Sequence, residues 1–193
     1  MGRFIVFEGI DGSGKSSVTK LVATKLAKKD IIITGEPTST WLGDAVRRSH
    51  KECSNPFTEA FLFLADRVEH TAEIKRTVAE GKTVLCDRYY YSTVAYQAAA
   101  LEEKVDFDPF DWLLGMNLKI SIEPEIVFLL RVDPEIALAR VNKRGKLSKF
   151  ERLDFLKKVA ANYDRLSKIC KNMVVIDSNG SLDKVIDEVM SRL

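Results

Sequence analysis

With 193 residues, 46% of them hydrophobic and 30% charged, the chain has the make-up of one soluble globular domain long enough to build a real core. A formal net charge of +2 leaves no global basic field to draw it to nucleic acid or an anionic membrane. No apolar run approaches the ~18 residues of a membrane span. The three cysteines (Cys53, Cys86, Cys170) lie far apart, and residues 4–7 lead straight into Gly9 with no basic leader, so the expectation is a cytoplasmic protein.

The first strand is expected over 3–8, a continuous apolar run of the kind that strands buried on both faces present. It runs into Gly9-Ile10-Asp11-Gly12-Ser13-Gly14-Lys15-Ser16, which meets G-x-x-x-x-G-K-[ST] at each specified position and opens a helix over 15–28. Glycines let successive N–H groups turn inward around a phosphate, and the helix N-terminus adds partial positive charge. Lys15 can then reach the β- and γ-phosphates, and the Ser16 hydroxyl can bind Mg²⁺. A plain glycine turn is the bland alternative, and the strand before and helix after argue against it.

A strand over 31–34 and a helix over 41–53 come next, then a helix over 57–80. In the latter, Phe61-Leu62-Phe63-Leu64 covers most of the circumference, which implies burial on more than one side and leaves a face for a partner, so a homodimer is expected. Within it Phe63 and Arg67, four apart, share a face. A flat ring beside a planar donor fork suits a nucleobase, although a core Phe beside a snorkelling Arg gives the same pattern. The strand 83–87 holds Cys86 as a small buried thiol and ends in Asp87, an acid placed to sit beside a P-loop magnesium. Arg88 follows, pointing elsewhere by strand alternation.

Helices over 109–119 and 134–144 start at Asp108-Pro109 and Asp133-Pro134, each reading as an N-cap followed by proline at the first helical position. A strand over 126–131, a basic run from Lys143 through Lys149 to Arg152, a helix over 151–170, a strand over 173–177 and a helix over 181–192 complete the chain. The alternation implies a mostly parallel sheet with helices on both faces.

The chain resembles thymidylate kinases, in particular the branch without an Arg in the P-loop. The residues that carry the likeness are Phe7 to Lys15, Glu36-Pro37, Leu42-Gly43 with Arg47, and Leu62-Phe63-Leu64-Ala65-Asp66-Arg67. Asp87-Arg88-Tyr89, Ser92-Thr93-Val94-Ala95-Tyr96-Gln97, Val132-Asp133-Pro134-Glu135 and Arg144-Gly145 extend it. The resemblance implies a three-layer α/β P-loop NTPase fold with a five-stranded parallel sheet, forming one domain over 1–193 with a lid at about 143–152. It implies transfer of the ATP γ-phosphate to dTMP, with ATP and Mg²⁺ as cofactors.

By the same resemblance, Gly9, Ile10, Asp11, Gly12, Ser13, Gly14, Lys15, Ser16, Ser17 and Arg140 bind ATP, and Ser16 and Asp87 hold the metal. Asp11, Lys15, Arg88, Arg144 and Lys149 serve catalysis. Phe63 stacks on thymine, Arg67 donates to its O4, and Thr93 faces N3. Tyr96 crowds the ribose 2′ position, Asp11 lies near the 3′-hydroxyl, and Arg47 and Arg88 hold the 5′-phosphate. Glu36, Pro37, Ser92 and Gln97 complete the acceptor pocket. Arg67 has only donors, which suits a carbonyl and repels the amino group of cytosine. Two departures from the family pattern are Gly35, where relatives often carry Arg, and Lys149, where a lid Arg is usual.

Two rivals stay open. A P-loop kinase of another small acceptor would carry the same phosphate residues. A regulatory GTPase is disfavoured: the strand 83–87 continues Asp87-Arg88-Tyr89-Tyr90 rather than D-x-x-G, and Asn142-Lys143 lacks the Asp that guanine reading needs.

Overall fold

The computed structural model describes residues 2–26, 30–143 and 152–193. Five strands, β1 (Phe4–Glu8), β2 (Ile31–Gly35), β3 (Thr83–Asp87), β4 (Ile126–Arg131) and β5 (Met173–Asp177), form one parallel sheet in the order β2-β3-β1-β4-β5. Each lies within a residue of its expected span. The central strand β1 pairs Phe4 with Val84 on one side and Ile5 with Ile126 on the other.

The continuous apolar strands have two cores to serve. Phe4, Val6, Val84, Cys86, Val127 and Leu129 face one cluster with Val94, Leu113, Val159 and Leu166. Ile5, Phe7, Leu85, Phe128 and Leu130 face the other, with Val18, Val22, Val185 and Val189. The first cluster draws on α3 (Pro56–Ala79), α4 (Tyr90–Leu101), α5 (Pro109–Ile120) and α7 (Leu153–Ile169). The second draws on α1 (Lys15–Leu26) and α8 (Leu182–Ser191). Helices on both faces give three layers, and parallel pairing puts the carboxyl ends of all five strands on one edge, where ligands of such sheets bind.

The remaining helices are α2 (Trp41–Lys51) and α6 (Pro134–Asn142). α3 and α5 begin as helices with proline at the first position should: Asn55 accepts from Phe57 N at 2.9 Å, and Asp108 from Phe110 N at 2.9 Å. Asp133 occupies the same place before α6 but makes no side-chain cap bond, and its backbone N–H is held instead by Asn179 Oδ1 at 2.9 Å.

Three sequence expectations need correcting. No helix was expected over 90–101, yet α4 lies there. Eleven of its twelve residues are buried, so no polar stripe marks the helical period. The run 61–64 is not enclosed as expected, since Phe61 is 50% exposed and only Leu64 of the four is buried. Arg88 does not follow strand alternation either: β3 ends at Asp87, and Arg88 has φ 71°, in the left-handed region. Among the described residues no helix is long and apolar enough to cross a membrane.

Candidate active site

β1 delivers the chain into a tight loop over 9–14 that closes on the first turn of α1. Gly12 shows why glycine is needed there. Its φ is 86°, and a Cβ would lie 2.3 Å from the Ala137 carbonyl oxygen of α6. The Lys15 side chain folds back over this loop, donating to Gly9 O and Ile10 O, each at 2.9 Å. Burial, and then the nearby Arg88 charge, pull its ammonium down to about 8 despite Asp11, Asp87 and Glu8. Ser16 Oγ donates to Asp87 Oδ2 at 2.5 Å, while Asp87 Oδ1 is buried with no hydrogen-bond partner.

A cavity of about 520 Å³ opens above the loop, lined by Asp11, Gly12, Gly14, Lys15, Ser16, Ser17, Glu36, Pro37, Arg47, Asp87 and Arg88 among others. A second cavity of about 300 Å³ adjoins it, lined by Asp11, Glu36, Pro37, His50, Phe63, Arg67, Arg88, Tyr89, Ser92, Thr93, Tyr96 and Gln97. Asp11, Glu36, Pro37 and Arg88 belong to both walls, so the two spaces meet at these residues.

At that junction the Arg88 guanidinium donates to Asp11 Oδ1 at 2.5 Å, to Ser92 Oγ at 3.0 Å and to Gly9 O at 3.3 Å. It lies 5.2 Å from the centre of the Tyr96 ring. Tyr96 OH in turn accepts from Asp11 N and donates to Asp11 Oδ2, both at 2.9 Å. Burial pushes the Asp11 carboxyl up, but Arg88 and Lys15 pull it further down, so it stays below the ordinary range.

The far end of the second cavity is organised by Arg67, which is fully buried. Its Nη1 donates to Asn117 Oδ1 at 2.6 Å, and its Nη2 donates to Thr93 Oγ1 at 2.9 Å and pairs with Glu36 Oε2. Three of five N–H groups are thus engaged, and Nε has no partner. Glu36 is itself steadied by His70 Nδ1 at 2.9 Å, whose other nitrogen meets Thr34 Oγ1 at 2.8 Å. Phe63 lines the same cavity, its ring 5.6 Å from that of His50. Gln97 Oε1 is buried without a hydrogen-bond partner.

Arg47 reaches the site because α2 comes unusually close to the turn before it. A Cβ on Gly43 would lie 1.9 Å from Thr38 O. Arg47 holds Pro37 O and Thr38 O at 2.7 Å each, and Asp66 pins the same turn by accepting from Thr38 N at 2.8 Å.

Most residues singled out from sequence therefore gather around two joined cavities. Arg140 lines neither; it bridges Ser178 O at 2.8 Å and Asn179 O at 3.0 Å to Gly12 O at 3.4 Å. Ile10 packs into the core and contributes its carbonyl to Lys15. Arg144 and Lys149, and most of the lid at 143–152, lie outside the described residues. Sequence reasoning missed Glu8, His50, His70 and Asn117. Glu8 alone left a signal, as an acid closing an apolar strand.

The family model described as thymidylate kinase matches residues 7–189. A protein of Methanococcoides burtonii named "Probable thymidylate kinase" is 37% identical over 194 residues, covering 100% of this chain and 96% of that protein. Proteins of the same name from Methanosarcina barkeri and Methanocaldococcus jannaschii are 39% and 40% identical, covering 100% and 98% of this chain and 96% and 95% of theirs. With a P-loop beside a ring-and-fork pocket and a likeness that spans the whole length, the chain belongs to the thymidylate kinase family, kinases that use ATP as the phosphate donor for dTMP.

Proposed function

We infer that the chain transfers the ATP γ-phosphoryl to the 5′-phosphate of dTMP in line, giving dTDP and ADP without a covalent intermediate. The observation that carries this is the junction of the two cavities at Arg88 and Asp11. A donor phosphate seated on the loop 9–17 and an acceptor phosphate beside Arg88 would face each other there, and positioning plus charge neutralisation is most of what phosphoryl transfer needs. Lys15 serves the β- and γ-phosphates, Arg140 braces the loop, and Arg47 and Arg88 take the acceptor phosphate.

Phe63 offers the stacking face, Arg67 Nε–H and its spare Nη1 hydrogen reach the base edge, and Thr93 and Gln97 supply acceptors. Ser16 and Asp87 fit a hard divalent cation, since a hydroxyl and a carboxylate converge and one carboxylate oxygen stands unpartnered. Magnesium bound there would neutralise charge on the β- and γ-phosphates. The exposed Phe61 and Val68 of α3 favour a homodimer, and the chain would act as one cytoplasmic domain.

Coupled ADP release with dTMP, dUMP, dCMP, dGMP and thymidine tests the reading. dTMP is expected to give the highest kcat/KM and thymidine almost none, because it brings no anion to Arg47 and Arg88. Equal use of dCMP or thymidine would overturn the assignment. A second result is expected at Tyr96, whose ring stands under Arg88 and whose hydroxyl ties Asp11 in place. Tyr96→Ala should raise the use of ribo-TMP relative to dTMP, whereas Tyr96→Phe, which keeps the ring, should leave that ratio nearly unchanged. An unchanged ratio in Tyr96→Ala would put the sugar elsewhere.

A further inference from the structure

Glu8, the last residue of β1, is fully buried beneath the site and lines neither cavity. Four donors converge on its carboxylate: Tyr89 N at 2.7 Å and Ser92 N at 3.3 Å on one oxygen, Ser92 Oγ at 2.6 Å and Tyr163 OH at 2.8 Å on the other. These come from the start of α4 and from α7, so one acid ties the P-loop strand to both helices. The first pair has a local cause. Tyr89 is the N-cap of α4 and offers no side-chain cap bond, and the Glu8 oxygen accepts the Ser92 N–H that a capping Ser or Asp would otherwise serve, together with the N–H of Tyr89 itself, as the acid of a capping box does.

The second pair reaches toward the chemistry. Serine has one hydroxyl hydrogen, and a carboxylate only accepts. Tyr163 OH also lies 2.9 Å from Ser92 Oγ, and with both hydroxyls donating to the same Glu8 oxygen, Ser92 Oγ meets the Arg88 Nη1 donor, 3.0 Å away, with a lone pair. Arg88 needs such support. It is a non-glycine residue at φ 71°, a strained conformation that persists only where its surroundings hold it. Its backbone N–H is held by Phe7 O at 3.0 Å, so adjacent residues of β1 steady both ends of the same arginine.

We propose that Glu8 is a positioning residue for Arg88, its carboxylate fixing the polarity of the Ser92 hydroxyl so that a lone pair faces the guanidinium at the junction of the two cavities. The assignment deepens the reading that Arg88 holds the acceptor phosphate, and it rests on that reading. A neutral amide of the same shape would reverse the polarity. Its NH₂ group would donate to Ser92 Oγ, and the displaced hydrogen would be divided between Tyr163 OH, 2.9 Å away, and Arg88, where it sets two donors against each other.

Steady-state kinetics on the full chain test this. Glu8→Gln is expected to raise the KM for dTMP about tenfold or more, the scale of one charged hydrogen bond, with the KM for ATP changed less than about twofold. Because the effect runs through Ser92, Glu8→Gln should add nothing further to the dTMP KM in a Ser92→Ala background. A purely structural cap predicts the opposite, a lowered Tm with an unchanged dTMP KM, and that outcome overturns the proposal. Arg88→Lys separates the layers. If it raises the dTMP KM and Glu8→Gln does not, the positioning role alone fails; if it leaves the dTMP KM untouched, the acceptor-phosphate reading fails and takes the positioning role with it. Should Glu8→Gln not fold, Ser92→Cys keeps the buried acid and offers Arg88 a weak sulfur acceptor; a several-fold rise in dTMP KM is expected, and no rise overturns the proposal.

Discussion

Lys15→Ala is expected to lower turnover of dTMP with Mg-ATP on the order of 10²-fold or more, while the protein stays folded. The size follows from losing a preorganised charge where the transferring phosphoryl would gather negative charge. The spared fold follows from the hydrogen bonds around it. The two carbonyls that Lys15 occupies keep other donors, Ser13 N on Ile10 O at 3.1 Å and Arg88 Nη1 on Gly9 O at 3.3 Å. Burial also disfavours the ammonium, which its pKa of about 8 records, so truncation relieves a cost as well as removing contacts. Initial rates and Tm on the same preparation check both halves. Near-normal turnover by a folded Lys15→Ala protein would remove the assignment of the phosphate site.

The second large effect is expected at Arg67, and it differs from what a surface specificity residue would give. Arg67→Ala deletes a charged donor to the base edge, worth roughly 1.5–3 kcal/mol in kcat/KM for dTMP. It also strips Glu36 of its arginine partner and leaves it with His70 alone, and breaking a buried pair costs up to about 3–5 kcal/mol of stability. Lower dTMP efficiency and a lower Tm should therefore arrive together, with the KM for ATP nearly unchanged. Phe63→Ala separates the two effects: the ring is half-buried and removes a stacking face worth ~1–3 kcal/mol, with a smaller stability loss. On the proposal that both residues act on one base, the double variant should lose less in kcat/KM than the sum of the singles. If Arg67→Ala lowers Tm but leaves dTMP kinetics untouched, Arg67 is a core ion-pair residue and base reading must be sought elsewhere.

Arg67 also marks the limit of what sequence alone conveys. The four-residue spacing to Phe63 was legible because helical period puts i and i+4 on one face. The partners Glu36, Thr93 and Asn117 were not legible as partners, since they meet Arg67 only after strands and helices distant in sequence are packed. The strands were readable from their continuous apolar runs, and the P-loop from its glycines. α4 escaped because a helix buried on nearly every side has no polar stripe to reveal its period. Glu8 was visible as an acid at the end of an apolar strand, yet its meaning depends on an N-cap that Tyr89 leaves unfilled.

The strand order has a consequence for how the chain comes into being. Of the five strands β1 leaves the ribosome first, but its two neighbours in the sheet, β3 and β4, come much later, with Phe4 waiting for Val84 and Ile5 for Ile126. Until β4 has emerged, one edge of the central strand stays open, and the phosphate loop hangs from an unfinished support. Of the five strands, the first made is thus among the last to gain both neighbours, and a nascent chain that stops short of β4 would offer a ligand only a half-supported loop.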